Sequence, residues 1–424
     1  MSRTIAFITA PNPRLKNTGM VSVDLASRRI ARLLPAGVEA RWYTSAPPTA
    51  PEIETVARHR ELEFRPADLL ASREEIRDAA AVVLWGDFLQ ARHYLRDDAA
   101  VRILERGAAA DPAAAVAAAY DALLLRDAPT ELRRRAILFG GTLLHEDGSA
   151  RLDVDYRAAF EDLVRHAAGA WMRDPISAGR VARLRPEDGA RGRGVDAALL
   201  LEESDLAGLP TGPWLADLEA GARIGVFVGQ RTRVPGGLPR FVRELAAATG
   251  AAPEWFPWFD RRPRWSRDLV AYRMRRGLER RGAAGAPLLG DLFGALRRYR
   301  FIVTDTYHLA LNAWRAGTPT ICLGAVRNWD ARGSSRTLAD VKKQVFFLDH
   351  DLADFHLSAV DLGRREGEDR VARILELDRA GLPATATRQL REEARRVESD
   401  LLALLEILLG EADRAPRAAD AAAG

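Results

Sequence analysis

A short apolar run, a turn, an amphipathic helical stretch and then another apolar run: this order repeats along the chain from its first residues almost to its last. Parallel strands are buried on both faces and read as unbroken apolar runs, and helical crossovers must join them, so the pattern predicts parallel sheets built from βαβ units. Strands are expected at Ile5–Thr9, Glu39–Tyr43, Ala81–Trp85, Ala136–Phe139, Ala170–Met172 and Ala197–Leu201, with helices such as Ser22–Leu34 and Tyr156–Ala168 between them. Residues Glu202 to Gly221 then break the rhythm with Pro210, Gly212 and Pro213 among acidic residues, and a fresh strand at Arg223–Val228 restarts it. Beyond it come helix Leu238–Thr249, a Trp/Pro-rich segment from Pro253 to Trp265, helix Leu288–Arg298, strand Phe301–Thr304, helix His308–Ala316, strand Thr320–Leu323 and strand Val345–Leu348.

At 424 residues the chain is too long for one core and suits two domains. The break places the first at 1–205 and the second at 220–375. A closing helix at 385–411 follows, with Leu390, Ala394, Val397, Leu401, Leu405 and Leu408 at helical spacing, a stripe suited to packing or to a homodimer seam. The alanine-rich residues 412–424 carry little large apolar surface and are expected to be disordered. The expected fold class is α/β, two Rossmann-like domains with a C-terminal amphipathic helix.

Composition narrows the function classes. The 63 basic and 59 acidic residues are interleaved, so the net charge of +4 makes no stripe for nucleic acid. No run approaches the length of a membrane span, and the apolar stretch before Pro11 is too short for a signal-peptide core, which leads to the expectation of a cytoplasmic protein. Cys322 is the single cysteine, so neither an intramolecular disulfide nor a thiolate metal cluster is expected, and no metal is assigned. Only Lys16, Lys342 and Lys343 are lysines, in a chain that otherwise uses arginine. A compact ammonium in place of a planar fork suits a phosphate or anionic oxygen.

In open parallel sheets ligands bind beyond the carboxyl ends of the strands, so the candidate residues are those in the loops there. After the first strand, PNPRLKNTG brings Lys16, Asn17 and Gly19 to the start of a helix, where backbone N–H groups can meet an anion; no GxGxxG fingerprint is present. Asp87 follows the third strand. The segment Tyr299–Gly324 runs a buried strand into Asp305, Thr306, Tyr307 and His308 at a helix start, which sets an imidazole where it can serve an anionic substrate as proton donor or relay.

This last segment resembles the signature of polysaccharide pyruvyl transferases: a strand, then Ser/Thr-x-Arg, an aromatic residue or Leu, and His, then an apolar helix, Gly-x-Pro and another strand, here Thr304, Tyr307, His308, Gly317 and Pro319. A second stretch, with Arg173, Asp174, Ser177 and Asp196, looks like the family's RD-x-x-S segment, and the segment holding Lys342 and Lys343 resembles its lysine-containing one. The resemblance implies a GT-B-like fold, phosphoenolpyruvate as co-substrate without any cofactor, a sugar-like acceptor, and His308 as the acid. It sets Thr306, Tyr307, Lys342 and Lys343 with Arg231 and Arg233 around the donor phosphate, and Lys16, Asn17, Gly19, Asp87, Arg173 and Asp174 on the acceptor side. The sequence departs from the family at Thr306, where an arginine is usual; Arg231, Arg233, Arg315, Arg327 or the lysine pair would have to supply the missing cation. Two alternatives stay open: glycosyl transfer or a natural-product tailoring transfer on the same frame, for which Trp255, Trp258 and Trp265 offer nucleobase platforms, and a non-catalytic ligand-binding member.

Overall fold

The computed structural model describes residues 3–12, 17–50, 62, 64–87, 89–144, 152–186, 192–216, 218–229, 234–259, 268–278, 286–324, 335–358, 361–362 and 364–423. The chain divides into two compact units. The first comprises Met1–Leu15, Met20–Leu201 and Glu393–Gly424; the second comprises Lys16–Gly19 and Glu202–Glu392.

The first unit holds six parallel strands: β1 (Thr4–Thr9), β2 (Glu39–Thr44), β3 (Ala67–Asp68), β4 (Ala81–Asp87), β5 (Ala136–Gly141) and β6 (Gly169–Met172), in the order β3-β2-β1-β4-β5-β6. That is the dinucleotide-fold order, with its reversal between β1 and β4. Every residue of β1 and of β5 is buried. Helix α1 (Thr18–Leu33) follows β1, α2 (Val154–His166) precedes β6, and α3 (Pro175–Leu184) follows it. The run Ala197–Leu201 was expected as a strand, but Ala197–Leu200 forms a buried 3-10 turn. An apolar run of four cannot choose its own backbone, and here the Asp196 side chain caps the turn by accepting the Ala198 N–H at 3.1 Å.

The second unit has five parallel strands: β7 (Arg223–Phe227), β8 (Ala252–Trp255), β9 (Tyr299–Thr304), β10 (Thr320–Leu323) and β11 (His356–Leu357), in the order β11-β10-β9-β7-β8. This is the flavodoxin-like order, with the reversal between β7 and β9. Between strands lie α4 (Leu238–Thr249), α5 (Tyr307–Ala316) and α6 (Ser335–Asp349). Strand β8 was missed because Pro253 argues against a central strand; β8 is an edge strand bonded only to β7, where proline is tolerated. The run Val345–Leu348, expected as a strand, belongs to α6, whose Val341, Val345 and Phe346 are buried at helical spacing while Leu348 is exposed.

Helix α7 (Leu382–Ala423) ends the fold. It continues through residues 412–423, where disorder was expected; alanine is the best helix former, so a poor core contribution does not stop the backbone from continuing. Leu390, Ala394, Val397, Leu401, Leu405 and Leu408 are all buried within the chain, so the stripe that could have served a homodimer seam is already covered. In the first unit a two-pronged Arg29–Glu398 ion pair (2.7 and 3.0 Å) anchors α7, and Leu404 packs so closely on Gly169 that a Cβ there would meet it at 2.8 Å.

His356 in β11 supplies a pH test of the second unit. Its ring packs beside Phe347 (5.7 Å between centroids) and against Gly324, and burial, with Lys343 adding to it, pushes its pKa down to about 4 from an ordinary 6.5. The unfolded chain therefore binds the proton first as pH falls, and stability present above pH 6.5 is lost down to about pH 4. The expected loss is on the order of 3 kcal/mol. Urea midpoints of wild type and His356→Gln at pH 7, 5.5 and 4.5 check this: the wild type should lose more than the variant over that span, and parallel curves would refute it.

Candidate functional site

The second unit concentrates its polar structure where the strand order reverses. Asp305, directly after β9, accepts the Gly229 N–H from the end of β7 at 3.0 Å through Oδ2, which bridges the two strands on either side of the reversal. Lys343 reaches from α6 and donates through Nζ to the Asp305 carbonyl (3.2 Å) and the Leu323 carbonyl at the end of β10 (2.8 Å), and it pairs with Asp340. Both charged side chains of that pair are 3% exposed. Lys343 thus braces the carboxyl ends of β9 and β10, and its donors are directed into the scaffold.

Helix α5 starts immediately after this brace. Its N-cap Thr306 makes no side-chain cap bond: the hydroxyl donates to Asp305 Oδ1 (3.3 Å), while the Thr306 N–H donates to Thr304 Oγ1 (3.0 Å). The first turn of this ten-residue helix stands at the carboxyl edge of the sheet, where the positive end of its dipole favours an anion. His308 lies in that turn, 6% exposed, with its ring 5.2 Å from the Tyr307 ring. Lys342 Nζ stands 5.0 Å from the Tyr307 ring centroid, a cation–π arrangement that sets a cation beside the turn. Residues Lys16–Gly19 group with this unit: Thr18 Oγ1 donates to the Trp258 carbonyl (2.6 Å), and Gly19 packs on His308. A Cβ at Gly19 would fall 2.4 Å from His308 Cβ, so only glycine leaves the imidazole its place. Asn17 accepts the Gly19 N–H through Oδ1 at 3.1 Å and so caps the start of α1.

The remaining sequence candidates separate into four groups. Arg315 is not at this site: it lies in the last turn of α5, about 10 Å along the axis from His308. Burial, then the neighbouring Arg297 and Arg391 charges, lowers its pKa to about 10. Trp255 and Trp258 are core residues, Trp255 tilted on Phe227 (5.6 Å) and Trp258 edge-on to Phe293 (5.5 Å), and neither is a nucleobase platform. Lys16, Arg231, Arg233, Trp265 and Arg327 lie outside the described residues, as does the side chain of Asp87, whose backbone ends β4. Cys322 is no nucleophile, since complete burial pushes its thiol up to about 12.

In the first unit, Arg173, Asp174, Ser177 and Asp196 do come together, at the ends of β5 and β6, but as scaffold. Asp174 caps α3, accepting from the Ser177 N–H (2.8 Å), the Ser177 hydroxyl (2.7 Å) and the Thr142 hydroxyl (2.7 Å). Arg173 and Asp196 form an ion pair at 2.8 Å, with both side chains 2% exposed.

The sequence reading passed over a pair in the same unit. Asp24 on α1 and Thr44 at the end of β2 line a narrow cleft of about 10 Å³, room for about one water molecule, together with Thr9, Ala10, Asn12 and Phe64. Asp24 is 2% and Thr44 1% exposed, and among the described residues neither Asp24 Oδ1 nor Thr44 Oγ1 has a hydrogen-bond partner. Each such group costs roughly 1–3 kcal/mol. Burial holds the Asp24 carboxyl well above the ordinary carboxylate range. The missed signal was an aspartate at a core position of an expected helix, on the turn of Val21 and Ser27.

Among the described residues there is no group of three or more His, Cys, Asp or Glu side chains that could hold a metal ion, and no helix long and apolar enough to cross a membrane. No protein-family model matches the chain, and no curated protein matches it in sequence, so the likeness to pyruvyl transferases rests on the motif residues alone. Solved structures do match. Glycyrrhiza uralensis UGT73P12, complexed with glycyrrhetinic acid 3-O-monoglucuronide, aligns over 99% of both chains with a TM-score of 0.50 and 10% identity. The glycosyltransferase SnogD from Streptomyces nogalater aligns over 96% of this chain and 100% of its own (TM-score 0.41, 16% identity). UDP-GlcNAc 2-epimerase from Neisseria meningitidis aligns over 88% and 98% (TM-score 0.43, 10% identity). With both sheets described, the chain is a two-domain α/β protein of the GT-B-like fold.

Proposed function

We propose that this protein is a group transferase that holds its donor by a phosphate at the first turn of α5 and passes the transferred group to a hydroxyl of a sugar-like acceptor. The observation that carries this reading is the α5 N-terminus, which holds His308 with Lys342 beside its first turn, standing where the strand order reverses. A helix N-terminus, an imidazole and a nearby ammonium are the groups that stabilise negative charge gathering on a leaving phosphate.

Two donors suit that site, and each has its own support. Glycosyl transfer from a nucleotide sugar is favoured by the architecture shared with UGT73P12, which is complexed with glycyrrhetinic acid 3-O-monoglucuronide. There the acceptor hydroxyl attacks the anomeric carbon and the nucleoside diphosphate leaves with the bonding pair. Pyruvyl transfer is favoured by the ordered set Thr304, Tyr307, His308, Gly317 and Pro319, which occupies β9, α5 and the turn into β10. There the enol carbon of phosphoenolpyruvate takes a proton, two acceptor oxygens bond to the carbon that bore the phosphate, and phosphate leaves to give a ketal. Thr306 in place of the family arginine takes one cation away from the second donor.

Calorimetric titration with phosphoenolpyruvate and with UDP-glucose, on wild type and on His308→Ala, tests the proposal. Saturable binding of one of the two, weakened about tenfold or more in the variant, is the expected result, and which ligand binds selects the donor. Binding of neither, or binding indifferent to His308, would sink the reading.

A further inference from the structure

The residues that follow β4 and β5 in the first unit form a charged cluster that the donor site does not use. Beyond β4 the chain enters a helical stretch over residues 92–105, in which Leu95–Ala99 form a π turn, a rare geometry found often at functional sites. Residues four apart lie on one side of a helix, so Arg92 and Arg96 project together. Both donate to the same oxygen, Asp153 Oδ2, through Arg92 Nε and Arg96 Nη1 at 2.8 Å each. Asp153 is the N-cap of α2: its Oδ1 accepts the Tyr156 N–H (3.1 Å), and its Oδ2 takes a further bond from the Tyr120 hydroxyl (2.9 Å). Burial alone would raise its pKa, but these donors outweigh burial and hold the carboxyl down to about 2, so it is charged at neutral pH. The Tyr156 hydroxyl donates to the Gln90 carbonyl (2.9 Å), which ties the segment after β4 to α2.

Two guanidiniums on one carboxylate leave this trio one positive charge in excess. The excess is within reach of a ligand, because the Arg96 side chain is 41% exposed. Asp97 and Asp98, the next acids along the helix, turn instead to His93 (2.6 Å) and Arg102 (2.8 Å). Leu152 and Val154, immediately before and after Asp153, are the most exposed large apolar side chains among the described residues, at 83% and 62%. The cluster stands beyond the carboxyl ends of two strands, where open parallel sheets take ligands. We propose that Arg92 and Arg96 form a subsite for a carboxylate on the acceptor, which makes the acceptor an acidic sugar of the uronic acid class. The assignment deepens the acceptor half of the function proposed above and rests on it. A guanidinium presents its N–H groups in a planar fork that matches a carboxylate, and the fork outdoes a point charge in fixing orientation. A neutral sugar would leave the excess charge unanswered.

The test is an NMR titration of the full chain, and of Arg96→Gln and Arg96→Lys, with 4-nitrophenyl β-glucuronide and 4-nitrophenyl β-glucoside, which differ only by a carboxylate in place of a hydroxymethyl group. Wild type should bind the glucuronide about tenfold or more tightly than the glucoside, and in Arg96→Gln the preference should fall to within about threefold. Arg96→Lys should keep part of the preference, because an ammonium supplies the charge without the fork; it carries the test should Arg96→Gln fail to fold in a thermal melt. Equal binding of the two glycosides by wild type, a preference indifferent to Arg96, or displacement of the glucuronide by an equal concentration of inorganic phosphate would overturn the subsite. Titration of the same variants with phosphoenolpyruvate and UDP-glucose separates that failure from failure of the transferase reading: donor binding that persists as in wild type leaves the latter standing.

Discussion

Lys343→Met should lower the melting transition of the second unit by roughly 6–20 °C. The ammonium is 3% exposed and joins Asp340 to the carbonyls of Asp305 and Leu323, so its removal strands a buried carboxylate and frees two strand ends. Breaking a buried ion pair by deleting one partner costs about 3–5 kcal/mol, and each kcal/mol moves the melting temperature of a domain of this size by about 2–4 °C. The double variant Lys343→Met/Asp340→Leu should recover most of the loss, since the orphaned charge goes with its partner. Differential scanning calorimetry decides the matter. A shift below about 2 °C accompanied by weakened phosphoenolpyruvate or UDP-glucose binding would return Lys343 to the donor site, where the sequence alone had put it.

A loss of comparable size is expected for Arg173→Met in the first unit. Asp196 would be left charged at 2% side-chain exposure, and it also caps the 3-10 turn at Ala197–Leu200, so the turn and the ion pair fail together. About 3–5 kcal/mol is again the scale. Arg173→Lys should recover only part of it, because a point charge does not reproduce the planar fork. Urea denaturation measures the difference; an unchanged midpoint would mean that the pair is not what holds this end of the sheet.

These two residues show how far the sequence could be read. Buried parallel strands announce themselves as unbroken apolar runs, which is why β1, β4, β9 and β10 were legible, as was the helix between β9 and β10 with its terminal Gly317 at φ +94°. Strands of two residues, such as β3 and β11, carry no periodicity to detect. At the site, the position of His308 after β9 was legible because a strand running into a helix leaves one place for the turn. What was not legible was which polar side chains face inward. Asp340 and Lys343 pair because the segment before Val345 is helical and sets them one turn apart, and no helix was read there from the sequence. Asp24 escaped for the opposite reason: its helix was expected, but nothing along the chain shows that Thr44 from β2 closes the same cleft.

The division of the chain has a consequence for its synthesis. Apart from Lys16–Gly19 the second unit is one unbroken stretch, Glu202–Glu392, whereas the first is completed only from Glu393 onward. On the ribosome the first six strands emerge, then the whole second unit, and only afterwards the part of α7 whose Val397, Leu401 and Leu405 are buried. At bacterial to eukaryotic elongation rates that interval lasts roughly 10–40 s. During it the nascent first unit must keep the apolar surface around Gly169 and Trp171 uncovered until Leu404 arrives, so the later-made unit is the one that can finish folding first.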